Sequence, residues 1–267
     1  MYHYTSVDAF LKLIDSKVLW ASDLSKMNDP NEFSAGIDII EHVFIDMFPQ
    51  HRDWLRTNRF FGPHNQSLLL GCAFTYDSDN ISHWRAYGDD GAGVSIGLDE
   101  NILNSFNTMK VQTENSGERE VSLFNFCDVI YSKNTLKRSV KEILEAIDSF
   151  PLNTADDCAL SLKLLRLAYS YKSEFYSSEN EVRVIFEASK NPHNHPKDML
   201  KFNLNFRMTN YGLTPYRDLK LGNAEKTAIF KIILGPKCRL FVDDVNFMLL
   251  AKGIKHVEVV KSRGKYR

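Results

Sequence analysis

Three short stretches of this chain carry side chains whose types and spacing suit chemistry. The first, "MYHYTS", sets His3 beside Tyr4 and Thr5 in a strand-like run, close to an end that would fray unless a sheet tied it down. A histidine in a strand is also an ordinary structural residue, so this segment by itself supports either role. The second, "SHWRAYGDDGAG", places His83, Trp84, Arg85 and Tyr87 on one short helix, with Trp84 and Tyr87 three apart and therefore neighbours on its surface. Aromatic faces beside an arginine offer stacking for a planar ligand and a charge-assisted contact for phosphate. The glycines that follow let backbone N–H groups approach an anion, but Asp89 and Asp90 would repel one, and the same pattern also fits a helix packing its aromatics into a core. The third, "SSENEVRVIF", sets Glu179 and Glu181 at the beginning of a strand. Residues two apart in a strand share a face, and two carboxylates held close raise one pKa by mutual repulsion. Such a pair suits stabilising a cationic transition state or polarising a hydroxyl, or it is a solvated acidic strand end beside Arg183.

The elements that must position these groups follow from periodicity. Ser6 caps a predicted helix with Val7, Phe10, Leu11 and Ile14 on one face, ending near Lys17. "VLWASDL" (18–24) reads as a strand. "NDPNEF" restarts a helix, with Asp29 as cap, Pro30 as first helical residue and Glu32 as capping-box partner. Ile37, Ile40, Phe44 and Met47 continue it, and 48–65 is irregular. "SLLLGCAFTY" (67–76) is a nearly continuous apolar strand, which implies burial on both faces. "GVSIGLD" (93–99) reads as an alternating strand, and the loop between these two is long enough to be functional. Residues 101–118 read as a short helix and a flexible loop, 124–132 as a strand, and 135–149 and 155–173 as two helices. "NEVRVIFEAS" (180–189), "MLKFNLNF" and "AIFKIILGP" follow as strands, "VDDVNFMLLAKG" as a helix and "HVEVVKS" as a last strand.

Strands outnumber helices, and the helices cluster instead of alternating with strands, so the pattern predicts an α+β chain. No repeat or Pro/Gly/Ser linker marks a boundary, which gives one domain over 1–267 with a helical insertion at about 133–175. No strand leads into G-x-G-x-x-G, and G-x-x-x-x-G-K-[ST] is absent, which excludes Rossmann and P-loop readings. With 33 Lys and Arg against 34 Asp and Glu, the chain has no net field to gather a polyanion. Without a long apolar run or a leader-like start, a cytoplasmic protein with no membrane contact is expected. Cys72, Cys127, Cys158 and Cys238 lie far apart and mostly in apolar contexts, so they are expected to be reduced, mostly buried and not metal ligands.

"YHYTSVDAFLKLI", "VLWASDLSKMNDPNEF", "CAFTYDSDNISHWRAYGDDGAGVSIGLD", "SENEVRVIF" and "IILGP", in that order, resemble the bacterial DUF2971 family, whose name states no function. The motif order in turn resembles the ADP-ribosyltransferase superfamily: a strand with His and a following Tyr/Thr, a middle aromatic, and a Glu opening a late strand. The resemblance implies a split β-sandwich of mixed and antiparallel strands with helices at its edges. It implies NAD as substrate, with His3 and Thr5, beside Tyr4, on the adenosine-side ribose. Trp84 or Tyr87, with Tyr76 also competing, would stack on nicotinamide near Arg85. Glu181 would be catalytic and Glu179 would help to activate an unknown protein or nucleic-acid acceptor. The arginine-targeting branch carries Arg and Ser-Thr-Ser where this chain has His3 and "FTY", so the E-x-E implies no arginine acceptor.

Three readings result. The first is an NAD-dependent ADP-ribosyltransferase or NAD-cleaving enzyme, as in a bacterial toxin or phage-defence effector. The second is a catalytically inactive nucleotide- or partner-binding module on the same scaffold. The third is a metal-dependent hydrolase using His3, His83 or the H-x-H of His193 and His195, which also reads as an exposed loop between two prolines. The transferase reading makes one geometric demand: His3 must face the same cleft as Glu181; if the two lie on opposite sides, the transferase reading falls and His3 is structural.

Overall fold

The structure, a computed structural model, describes residues 1–26, 31–57, 67–113, 117–147, 150, 152, 154–189 and 204–264. The proposed cap at Asp29 and Pro30, the side chain of Glu32 and the H-x-H at 193–195 lie outside what it describes.

Local chemistry sets the first elements. β1 (Tyr2–Thr5) runs into α1 (Val7–Ser16), where Ser6 Oγ accepts from Ala9 N at 3.3 Å and Lys17 closes the helix in the left-handed region at φ 55°. Phe10, Leu13 and Ile14 face inward, while Leu11, placed on the buried face by periodicity, is exposed. β2 (Val18–Asp23) and the long helix α2 (Asn31–Met47) follow, then the one-turn α3 (Trp54–Thr57) and β3 (Ser67–Thr75). α4 (Ile81–Ala86) starts on Asn80, whose Oδ1 accepts from Ser82 N at 2.8 Å, and β4 (Val94–Leu98) comes next.

α5 (Glu100–Ser105) leads into β5 (Thr108–Thr113) and β6 (Gly117–Ser122), which pair as a separate two-stranded sheet. The sequence pattern predicted only a loop here, because a polar hairpin shows no buried face to a periodicity reading. β7 (Asn125–Asp128), α6 (Lys133–Glu145), α7 (Thr154–Ser170) and β8 (Glu181–Ser189) match the expected order. β9 (Asn205–Thr209) and β10 (Gly212–Lys220) form a hairpin, and β11 (Ile229–Leu234), α8 (Val242–Ala251) and β12 (Glu258–Lys261) end the fold. β10 was not legible. Pro215 interrupts its pattern and argues against a strand, yet it sits in register with Phe206 of β9.

The protein is α+β. Ten strands form one mixed sheet in the order β12-β11-β4-β1-β3-β2-β10-β9, with β8 on β3 and β7 on β8; only β11 and β12 run parallel. β3 is its hub. One edge pairs with β8 along all nine residues, from Ser67–Ser189 to Thr75–Glu181. The other edge meets β1 only at Tyr2–Thr75 and β2 only at Ser22–Gly71 and Asp23–Leu70, so β1 and β2 diverge from β3 into two wings.

The alternation along β3 and β8 separates two cores. Leu68, Leu70, Cys72 and Phe74 with Val182, Val184 and Phe186 join Phe10 and Ile14 of α1, Ile96 of β4 and Leu249 of α8. On the opposite face, Leu69 and Ile185 meet Leu165 and Tyr169 of α7. A third cluster binds α2, α6 and α7 through Ile40, Phe44, Leu136, Leu144 and Leu164. Gly36 permits the close crossing of α2 and α7, since a Cβ there would lie 2.6 Å from the Ala168 carbonyl oxygen. β4 is buried throughout instead of alternating, as Ser95 and Gly97 pair with Tyr4 and Tyr2 beneath α4 and Phe230. All four cysteines are free, but only Cys72 is buried; the other three are half-buried.

Candidate functional site

Glu181 opens β8, where strand pairing pins its backbone. Its carbonyl accepts from Val129 N at 3.0 Å and its N–H donates to the Tyr131 hydroxyl at 2.8 Å. Residues Glu174–Glu179 form a 3-10 turn that ends on Asn180 at φ 43°, and this left-handed residue turns the chain into the strand. The Glu179 and Glu181 side chains come to one place, joined by Lys172. Lys172 follows α7, fixed by Ile130 N donating to Ser170 O at 2.7 Å and Lys172 N donating to Ile130 O at 3.1 Å. Its Nζ lies 2.6 Å from Glu179 Oε2, 3.2 Å from Glu181 Oε2 and 4.9 Å from the Tyr176 ring centre.

Arg183, two residues on and so on the same face of β8, clamps Glu181. Its Nε donates to Oε1 at 2.6 Å, one terminal nitrogen donates to Oε2 at 3.2 Å and the other to the Tyr169 carbonyl at 2.7 Å. Burial alone would raise the Glu181 carboxyl, but Arg183 and Lys172 hold it below its ordinary value, ionised. Glu181 is 6% exposed at its side chain and Glu179 is 19% exposed. Glu179 therefore keeps acceptor capacity toward solvent: its Oε1 takes the Tyr87 hydroxyl at 3.0 Å and its Oε2 takes Lys172.

α4 delivers Tyr87 to this position. His83 stacks on Tyr4, with ring centres 5.1 Å apart and planes at 28°, and Trp84 meets Tyr4 edge-on at 4.7 Å. The Tyr4 hydroxyl donates to Asp77 O at 2.9 Å and accepts from Asn80 N at 3.0 Å, which fastens the loop before α4. Thr75 gives its one hydroxyl proton to the Glu179 carbonyl at 2.8 Å, so His83 Nε2–H donates to Thr75 across 3.3 Å and the ring is the Nε2–H tautomer. Burial lowers the His83 pKa against the raising influence of Asp77 and Glu179, which keeps the imidazole neutral at pH 7. Tyr87 is 41% exposed; burial and the Glu179 charge push its phenol up to about 12, so it remains a donor.

Of the predicted residues, Tyr4, Tyr87, Glu179 and Glu181 belong to one constellation, with Tyr4 as a support beneath it. His3 and Thr5 do not join it. Tyr2 pairs with Thr75 and Thr75 with Glu181, so these three share a face, and alternation turns His3 and Thr5 to the other. His3 there contacts Phe74, and its Nδ1 lies 3.3 Å from the Ala73 carbonyl oxygen, while burial lowers its pKa. The required common cleft of His3 and Glu181 is not formed, so His3 takes the structural role and the transferase reading falls in the form the sequence led to, with His3 and Thr5 on the adenosine-side ribose. Trp84 is also corrected as a stacking candidate. It is 1% exposed, its indole N–H donates to Asp79 Oδ1 at 2.7 Å, and no ring face is open to a ligand. Arg85, two residues after His83, lies on the outer side of the helix and is exposed. Tyr76 is 47% exposed, but it follows Thr75 and its hydroxyl donates at 2.9 Å to Asp128, which pairs with Val182, so it lies toward the face opposite Glu181 and is corrected as a stacking candidate.

Sequence reasoning missed Lys172, Tyr131 and Thr75. Arg183 carried a signal, since it follows Glu181 at i+2 in a strand; Lys172 carried none, because it sits where the helical pattern stops. Among the described residues no three His, Cys, Asp or Glu side chains are grouped to hold a metal ion, and no described helix is long and apolar enough to cross a membrane.

Residues 83–184 match the model of DUF2971, a family of proteins of unknown function. The matched segment runs from His83 to Val184 and so contains Tyr87, Tyr131, Lys172, Glu179, Glu181 and Arg183. No curated protein and no solved structure matches the chain.

Proposed function

We propose that the Tyr87–Glu179–Glu181 constellation is a nicotinamide-nucleotide site, at which NAD is cleaved or its ADP-ribose is transferred to a macromolecular acceptor. The observation that carries this reading is the Tyr87 ring, half-exposed and hydrogen-bonded to a carboxylate that also faces solvent. What remains of the resemblance to the ADP-ribosyltransferases, an aromatic in the middle segment and a Glu opening a late strand, supports it.

In such a reaction the C–N bond between ribose and nicotinamide breaks, and the bonding pair leaves with neutral nicotinamide. Positive charge develops on the ribose C1′ and ring oxygen. Water or an acceptor hydroxyl then attacks C1′ and releases one proton. A cationic transition state needs orientation and a nearby negative charge more than it needs an acid. Tyr87 would stack on the departing ring, and Glu179, with spare acceptor capacity, would receive a ribose hydroxyl. Glu181 lies behind it as a buried anchor whose charge Arg183 and Lys172 largely balance. His3 and Thr5 lie on the other face, so the expected ribose contacts are lost, and what is proposed is a site built from Tyr87 and the two glutamates alone.

A second reading has its own support. Glu181 is held by two cations and Glu179 by one of them, a balance that weakens the net field felt by a nascent cation. The same site then binds a nucleotide or a partner without turnover. One experiment separates the readings: the purified chain is incubated with nicotinamide-labelled and adenine-labelled NAD, with and without cell lysate. Released nicotinamide supports cleavage, and adenine label in protein or nucleic acid supports transfer. Saturable NAD binding without either product supports the second reading, and no binding at millimolar NAD overturns both.

A further inference from the structure

We propose that Lys172 is a positioning residue of this site: its ammonium fixes the Glu179 carboxylate against Tyr87 and is the counter-ion that Glu179 and Glu181 share. The proposal rests on the reading of Glu179 as the ligand-facing carboxylate.

The geometry leads there in steps. One Nζ, 2.6 Å from Glu179 Oε2 and 3.2 Å from Glu181 Oε2, places those two oxygens closer than about 6 Å, a range in which like charges disfavour each other's ionised form. Arg183 grips both oxygens of Glu181 and the Tyr169 carbonyl. Among the described ion pairs, Lys172 alone joins both. The other groups facing the pair cannot replace it. His83 on α4 is neutral, Asp77 adds negative charge, and Tyr87, Tyr131 and Tyr176 are phenols. Lys172 is itself 9% exposed and its backbone is pinned to Ile130, so its ammonium has a fixed place. The distance between Glu179 and the Tyr87 ring is thus set from one side by a phenol and from the other by an ammonium.

Removing one partner of a buried ion pair is costly whatever the pair does, so stability alone does not separate a structural pair from a shared counter-ion, and the test reads titration and the Tyr87 ring as well. Lys172→Met, Lys172→Arg and the double variant Lys172→Met/Glu179→Gln distinguish the two. In the full chain, the side-chain carboxyl carbon of Glu181 is followed by NMR from pH 3 to 8, together with the ring carbons of Tyr87. We expect Lys172→Met to raise the Glu181 midpoint by about one unit or more and to shift the Tyr87 signals, and Lys172→Arg to return both toward wild type. The double variant, with one carboxylate gone, should regain a low Glu181 midpoint and melt above Lys172→Met, a comparison that stands even if the single variant is partly unfolded. An unchanged Glu181 midpoint in folded Lys172→Met, or a double variant no more stable than the single one, overturns the proposal. NAD binding is read separately. A chain that titrates as expected but binds no NAD overturns the function proposed for the site and supports the role of Lys172.

Discussion

The Tyr87 hydroxyl donates to Glu179 Oε1 at 3.0 Å, and through this bond the helix after β3 touches the turn that opens β8. Sheet pairing brings the two ends together, since Thr75 is opposite Glu181 in the β3–β8 ladder and Tyr87 lies one short helix beyond Thr75. The aromatic and the carboxylate are therefore placed by the most extensive strand pair in the molecule.

Tyr87→Phe keeps the ring and removes only the hydroxyl. For a partly exposed bond we expect a stability loss of no more than about 1 kcal/mol, with NAD binding weakened. Tyr87→Ala also removes the stacking surface and should abolish binding. Thermal melting and equilibrium dialysis against labelled NAD check both; equal NAD affinity in wild type and Tyr87→Ala would remove the ring from the site.

The two glutamates should fail in different ways. Glu181→Gln leaves Arg183 and Lys172 buried without their shared anion, and breaking a buried pair on one side costs about 3–5 kcal/mol. Glu179→Gln, at a more exposed position, should melt near wild type and yet lose nicotinamide release. Urea denaturation beside a nicotinamide assay reads both. If Glu181→Gln were as stable as wild type, the buried cluster would not be the anchor described above.

Much of this was legible in the sequence, for identifiable reasons. The nine-residue run of β3 had to be buried on both faces, and helical spacing announced α2, α6 and α7. The Glu179 and Glu181 pair was visible as two acidic residues, but the strand spacing expected for it does not hold, since Glu179 lies in the 3-10 turn and only Glu181 in β8; Tyr87 was visible as an aromatic, and it closes α4. Hidden were the features that depend on long-range register. Whether His3 faces Glu181 is decided by Tyr2–Thr75, a single pair between distant segments, and a shift of one residue would reverse the answer. Lys172 meets the site only because α7 returns to Ile130. Trp84 looked like a stacking residue because aromatic spacing on a short helix is the same for a core face and an open one.

Acid should destabilise the fold in two stages. His3 and His83 have folded-state values lowered from 6.5 by burial, so below about pH 6.5 the unfolded chain binds more protons and stability falls. Glu181 is lowered from its ordinary 4.5, so its contribution is present above that value and is lost as pH drops through its folded pKa. Urea midpoints between pH 7.5 and 3.5 should decline first below 6.5 and again below 4.5. His3→Gln should flatten the first decline while leaving NAD binding unchanged, because its side chain lies on the face opposite Glu181. A loss of NAD binding in His3→Gln would return this residue to the site.

Asp79 should matter to the site without touching it. One carboxylate oxygen takes the Trp84 indole N–H at 2.7 Å and the Ser262 hydroxyl at 2.6 Å, and the other takes Arg263 N at 2.8 Å. Burial would raise its pKa, and these donors hold it below the ordinary range. The segment after β12 is thereby tied to α4, and α4 sets the position of Tyr87 over Glu179. Asp79→Ala strands the buried indole N–H, which costs about 1–3 kcal/mol, and frees the start of α4. Asp79→Asn keeps one acceptor oxygen and should lose less. We expect a lower melting temperature in Asp79→Ala together with a weaker NAD affinity, with Glu181 titrating as in wild type because its own partners are untouched. If melting falls but NAD affinity holds, Tyr87 is positioned by the Thr75–His83 contact alone and the C-terminal tie is purely structural.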